Sequence, residues 1–222
     1  MDEFVTELRA ALGAHGDPKR AAGQQAYMKS LLPYRGLAMP TVRKIVRESV
    51  KRRPLDLEAV ARISRKLWDE AEYREERYVS IELTALPPGS GKLELVALHE
   101  YRARTGAWWD FVDSIAHQIA ALHDAHPAQT AQIVRGWSQA DTFWLRRLAI
   151  ISQLGRKERT DTALLGEVIG RNAGDKEFFI RKAIGWALRE YARTDPDWVR
   201  DFTGAAHLSP LSRREALKHI GG

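Results

Sequence analysis

Trp108-Trp109-Asp110-Phe111-Val112-Asp113 opens the run WWDFVDSIAHQIAALHDAH, residues 108–126, and the reading of that run decides the fold class. At about 100° per residue, Phe111, Val112, Ile115, Ile119 and Leu122 gather with Trp108 on one apolar face, the pattern of a helix packed on a core. Trp109 and Asp113, spaced i and i+4, share a second face, followed one and two turns later only by Ala116 and Ala120. An indole beside a carboxylate with nothing bulky next to it fits two arrangements. One is a wall prepared for a ligand; the other is a tryptophan lying on a neighbouring helix, with Asp113 in a structural ion pair.

Outward from this helix the same periodicity recurs almost throughout, and runs of alternating β-branched residues bounded by hairpin turns are missing. The chain is therefore expected to be all-α. Helices are predicted near residues 2–13, 17–32, 40–53, 56–70, 72–86, 91–105, 108–124, 127–138, 141–155, 161–172, 175–193, 196–205 and 210–219. Asp56, Asp141 and Asp175 are expected as N-caps, and Pro40, Pro196 and Pro210 as first helical residues. Short connections force neighbouring helices to run antiparallel, which gives either a bundle or a superhelical solenoid of helical pairs. With no strict period in view, the solenoid would be built from degenerate repeats. Pro87-Pro88-Gly89-Ser90-Gly91 reads as a turn between repeats, so residues 1–222 are expected to form one domain.

The 222 residues carry 35 Lys and Arg against 29 Asp and Glu, a formal charge of +6, which favours a polyanionic partner. Seven tryptophans add aromatic faces that can stack on bases or sugars. Cysteine is absent, which excludes a disulfide framework and thiol chemistry. No apolar run approaches the roughly 20 residues of a membrane span, and the N-terminal MDEFVTELRAALGAHG reads as an amphipathic helix rather than a signal segment. A cytoplasmic, monomeric protein without membrane contact is expected.

Four further stretches have unusual texture. Residues 26–43 place two prolines, a glycine and the arginines Arg35 and Arg43 between two helices; this is either a plain turn or a stiff loop feeding a helix N-terminus suited to phosphate. In the helix from Asp141, Phe143, Trp144, Leu148, Ile151 and Leu154 define a buried face with Arg147 in its middle, whereas Arg146 points elsewhere. A guanidinium cannot shed its proton among apolar groups, so Arg147 needs an anionic partner, and Asp113 is the best candidate. In the helix from Lys176, the core stripe is Ile180, Ala183, Ile184, Ala187, Leu188 and Tyr191. Trp186 lies off that stripe with Lys182, Gly185 and Arg189, either as a platform for a flat anionic ligand or as an indole buried on the next helix. His117, His123 and His126 lack matching Cys or carboxylate spacing and are read as solvated or packing residues, so no metal and no cofactor is expected.

Trp108 to Asp113, Trp144-Leu145-Arg146-Arg147-Leu148-Ala149-Ile150 and the run from Phe179 to Tyr191, with Pro196 and Trp198 after it, resemble the AlkD-type DNA alkylation repair glycosylases. The resemblance extends from Tyr27-Met28-Lys29 to Leu211-Ser212-Arg213-Arg214-Glu215-Ala216-Leu217. It implies a solenoid of HEAT-like repeats with a concave basic face for duplex DNA, and hydrolysis of the N-glycosidic bond of cationic N3- or N7-alkylated purines. It further implies Asp113 as catalytic carboxylate, Trp109 and Trp186 as aromatic walls, and Arg147 as basic partner. Tyr27 is implied as a further aromatic at the lesion, and Arg43, Arg146, Lys182 and Arg189 are expected to contact the DNA with it. No motif lysine is evident at the site, which argues for a monofunctional enzyme rather than a Schiff-base lyase. The competing readings are a non-catalytic repeat protein for bent or branched DNA and a protein-binding scaffold. If the charge reading holds, binding to undamaged duplex is weak and falls steeply with salt, because phosphate contacts release counterions. A filter-binding or anisotropy titration giving salt-independent affinity would contradict it.

Overall fold

Local chemistry sets most helix boundaries. Asp17, Asp56, Asp161 and Asp195 each accept a backbone N–H from the first turn of the helix they precede, and Pro18, Pro127, Pro196 and Pro210 open helices where a missing N–H costs nothing. The computed structural model describes residues 2–220, and among them there is no strand. The helices are α1 (Asp2–Ala14), α2 (Pro18–Met28), α3 (Met39–Arg52), α4 (Leu57–Asp69), α5 (Arg74–Ala85), α6 (Val96–Gly106), α7 (Trp109–Ala125), α8 (Pro127–Trp137), α9 (Phe143–Ile151), α10 (Thr162–Asn172), α11 (Phe178–Tyr191), α12 (Pro196–Ala205) and α13 (Pro210–Ala216). The all-α expectation and the helices placed along the sequence are borne out.

Several boundaries differ. The helix expected to reach residue 32 stops at Met28, where Lys29 turns left-handed (φ 49°) and the N–H groups of Lys29 and Ser30 return to Ala26 and Gln25 carbonyls. Asp141 and Asp175 are not N-caps: Thr142 and Glu177 cap α9 and α11, and the aspartates instead bind the Thr142 and Glu177 N–H groups from just outside. Pro40 is the second residue of α3, not the first.

A period is also present. The N-caps of α3, α5, α7, α9 and α11 fall at Ala38, Tyr73, Trp108, Thr142 and Glu177, steps of 34 or 35 residues. Aromatic doublets mark three of these starts, at 108–109, 143–144 and 178–179. The side chains of each repeat have diverged while its length has not.

By contacts the chain divides into residues 1–98 and 99–222, a boundary inside α6. In the first unit α1 packs on α3, and α5 packs on both α3 and α4. Val60, Ile63, Leu67 and Trp68 of α4 and Val79, Ile81 and Leu83 of α5 are buried, as the apolar stripes predict. The stiff loop after α2 is held from beneath by Glu75, which is fully buried. Its carboxylate accepts the Arg35 N–H at 3.0 Å to either oxygen, the Gly36 N–H at 2.9 Å and the Leu37 N–H at 3.2 Å. Gly36 has φ +88°, and a Cβ there would lie 2.0 Å from the Asp17 carbonyl oxygen, so only glycine fits. The N–H groups of the loop that feeds α3 are thus satisfied by the protein's own carboxylate.

In the second unit alternate helices form two layers: α7, α9, α11 and α13 contact in series, and α8 and α10 pack against them. Phe111, Val112, Ile115, Ile119 and Leu122 of α7 are buried, and so is the whole predicted stripe of α11. The middle helix α9 is covered almost all round, with Leu145, Leu148, Ala149, Ile150 and Ile151 at most 2% exposed.

Glu75→Ala should leave the buried N–H groups of Gly36 and Leu37, and the part-buried one of Arg35, without an acceptor, at about 1–3 kcal/mol for each buried group. Chemical denaturation is expected to show a loss of several kcal/mol in total, with Glu75→Gln, which keeps one acceptor oxygen, falling between. Wild-type stability in Glu75→Ala would show that the loop does not depend on this carboxylate.

Candidate active site

The site lies in the second unit, where the layer α7, α9, α11 brings three helix starts together. Trp109 is the first residue of α7, and Asp113 follows it one turn on. Arg147 sits in α9 amid buried apolar side chains, itself 5% exposed. Its Nε donates to Asp113 Oδ1 at 2.9 Å and its Nη2 to Oδ2 at 3.0 Å, a two-pronged pair. The third nitrogen, Nη1, donates to the Phe179 carbonyl at 2.7 Å, in the first turn of α11. The guanidinium therefore ties α7, α9 and α11 together, and the partner expected for Arg147 is the one found.

Asp113 keeps 17% of its side chain exposed, against 6% for Arg147. Nη2 also lies 2.8 Å from Oδ1, so the guanidinium leans on that oxygen and Oδ2 keeps the more open lone pair. Burial pushes the carboxyl up to about 6; Arg147 opposes this by charge and hydrogen bonding, and the nearby Asp110 adds to it. The site is thus a fixed, partly desolvated carboxylate open on one side. Ala116 and Ala120, expected to leave the Trp109 and Asp113 face open, are buried, so below Asp113 the small side chains serve close helix packing.

An aromatic cluster covers the same end of the layer, and residue-by-residue reading missed it. Trp144 lies 4.5 Å from Phe143, 5.0 Å from Phe179 and 6.4 Å from Trp108 between ring centroids, and Trp108 lies 6.2 Å from Phe179. Phe178 stacks edge-on against Phe179 and stays half exposed. The recurring doublets were its signal in the sequence. Trp108 belongs to this cluster as the N-cap of α7 and is half-buried, rather than a full member of the core stripe.

Trp186, half-buried, is seven residues beyond Phe179 in α11 and so on the same side of that helix, two turns or about 10.5 Å along. Its expected companions are not open cations. Lys182 pairs with Glu215 of α13 at 3.0 Å and Arg189 with the other oxygen of the same carboxylate. Arg146 pairs with Asp175 at 3.0 Å and caps the Ala140 and Asp141 carbonyls. In the first unit, Tyr27 is 76% exposed and Arg43 pairs with Glu82 at 3.0 Å. His123 is buried against Ser152, His117 is exposed, and among the described residues no group of three or more His, Asp or Glu could hold a metal ion.

Residues 8–220 match the family described as DNA alkylation repair enzymes. A protein of Enterococcus faecalis described as a predicted DNA alkylation repair enzyme is 30% identical, with 93% of this chain and 97% of that one aligned and a TM-score of 0.83. AlkD2 of Streptococcus mutans, at 16% identity, covers 84% of this chain and 92% of its own with a TM-score of 0.64, a likeness of helical-repeat fold. None of the curated proteins matches. A repeat of helix pairs, an arginine-clamped carboxylate at its expected place and a family match over nearly the whole length converge: this chain is a member of the AlkD-type DNA alkylation repair enzyme family.

Proposed function

We propose that residues 1–222 act as one monofunctional DNA glycosylase that hydrolyses the N-glycosidic bond of cationic N3- or N7-alkylated purines in duplex DNA. The observation that carries this reading is the Asp113 carboxylate, held by two bonds from Arg147 and still partly open. An alkylated purine is already cationic, so it departs with the bonding electron pair as a neutral base and needs no general acid. The barrier lies in the oxocarbenium-like sugar left behind. A fixed carboxylate stabilises that positive charge without reorganising, and can take the proton of the water that adds to C1′.

Arg147 has two parts in this reading. It keeps the carboxylate oriented, and by charge and hydrogen bonding it opposes the burial that pushes the carboxyl up. Trp109 and Trp186 supply π faces that favour a cationic base and sugar over neutral ones. Tyr27, Arg43, Arg146, Lys182 and Arg189 would contact the duplex.

Asp113→Asn changes charge while keeping shape. Single-turnover release of 7-methylguanine should fall by about 10²-fold or more, the scale of removing one preorganised electrostatic group, with affinity for the methylated duplex unchanged or higher. If Asp113 serves only to neutralise Arg147, the variant will instead lose stability, and binding and excision will decline together. The pH dependence gives a second check. The ionised form is the active one, and the folded pKa lies above the ordinary carboxylate value. Excision should therefore weaken as pH falls through about 6, well before an ordinary aspartate would protonate. A rate that stays level down to pH 4.5 would remove Asp113 from the chemistry.

Trp186→Ala should reduce excision while unfolding stays cooperative, because the α11 core stripe is untouched. Loss of helix content in circular dichroism would make Trp186 a core residue instead.

A further inference from the structure

Lys182 and Arg189 lie seven residues apart on one side of α11, with Gly185 between them. That side is occupied by α13. Lys182 Nζ donates to Glu215 Oε1 at 3.0 Å and Arg189 Nη1 donates to Oε2. Arg189 Nη1 also reaches the Glu215 carbonyl at 3.4 Å. The approach is unusually close: a Cβ on Gly185 would lie 2.4 Å from Glu215 Cβ and 3.0 Å from the Ser212 carbonyl oxygen. The carboxylate is therefore set against α11 by helix packing rather than by a loose surface pairing. The two cations hold the Glu215 carboxyl below the usual carboxylate range, so it stays ionised at neutral pH.

The bridge does not exhaust the cations. Lys182 keeps 40% of its side chain exposed and Arg189 24%, whereas Glu215 keeps 19%. An ammonium has three donors and a guanidinium five, so both retain N–H groups for a second anion. One carboxylate already spans them in the manner of a phosphodiester. A DNA phosphate arriving beside Trp186 meets two cations that are half neutralised.

We propose that Glu215 determines specificity by competing with DNA phosphate for Lys182 and Arg189, which keeps undamaged duplex loosely held beside Trp186. This rests on the DNA-directed reading above and adds to it a residue that acts against binding. The benefit is discrimination: attraction to the backbone is the same at every site, so a lesion is distinguished better when that common term is kept small.

The test is the affinity of wild type, Glu215→Gln and Glu215→Asp for an undamaged duplex, by fluorescence anisotropy across a salt series, well below each variant's unfolding midpoint. Glu215→Gln should bind roughly 3- to 10-fold tighter at low salt, with a slope of log affinity against log salt more negative by about 0.9 for each phosphate gained. Glu215→Asp keeps the charge and should stay near wild type. Adding Lys182→Met should cost more affinity in the Gln background than in the wild type, because there the full charge of Lys182 is no longer shared with Glu215. Equal affinities across the series, or weaker binding by Glu215→Gln, would make Glu215 a tie between α11 and α13 and overturn the proposal. A wild type that binds no duplex would overturn the functional reading as well, whereas a binding wild type with an unresponsive Gln variant defeats this inference alone.

Discussion

One buried guanidinium, that of Arg147, organises the layer of α7, α9 and α11. Arg147 is surrounded by apolar side chains and has no way to become neutral, so its position is viable only if each nitrogen finds an acceptor. Asp113 on α7 and the Phe179 carbonyl on α11 provide them. Because the two partners come from the helices on either side, the electrostatic need of one residue fixes the lateral spacing of three. The same pairing favours a half-buried carboxylate: burial raises the Asp113 carboxyl, and Arg147 opposes that rise by charge and hydrogen bonding.

Much of this could be read from residues alone. Helical periodicity placed the stripes of α7 and α11, and the argument that Arg147 must be paired led to Asp113 because alternate helices of an antiparallel array share a layer. Partners distant in sequence, on surfaces that no local pattern marks, could not be read. Lys182 and Arg189 look like free cations until α13 is packed against Gly185. Arg74-Glu75-Glu76-Arg77 has the look of a solvated charge run, yet Arg74, Glu75 and Glu76 are buried, and what stabilises Glu75 is backbone N–H from residues 35–37, a partner with no side-chain signature. The N-caps at Asp141 and Asp175 were misread for a related reason: an aspartate binds the first free N–H groups from one or two positions outside the cap about as well as from the cap itself.

The repeat length was present in the sequence but hidden by its own divergence. Each repeat keeps the number of residues needed for two helices and two turns, while the side chains that face other repeats change with their neighbours. Where three helix starts meet, the aromatic doublets recur because the rings there pack on one another. Repeats of this kind are recognised by counting residues between helix starts rather than by matching letters.

That meeting of helix starts has an effect beyond packing. Helices α7, α9 and α11 alternate with antiparallel partners, so they run in the same direction and begin at the same edge of the layer. Each carries a peptide macrodipole worth roughly half a positive charge at its N-terminal end, and three such ends lie side by side under the aromatic cluster. The chain answers that charge itself: Asp110, Asp141, and Asp175 with Glu177 accept N–H groups at the three starts, so the positive ends are balanced by carboxylates of the same helices and their caps.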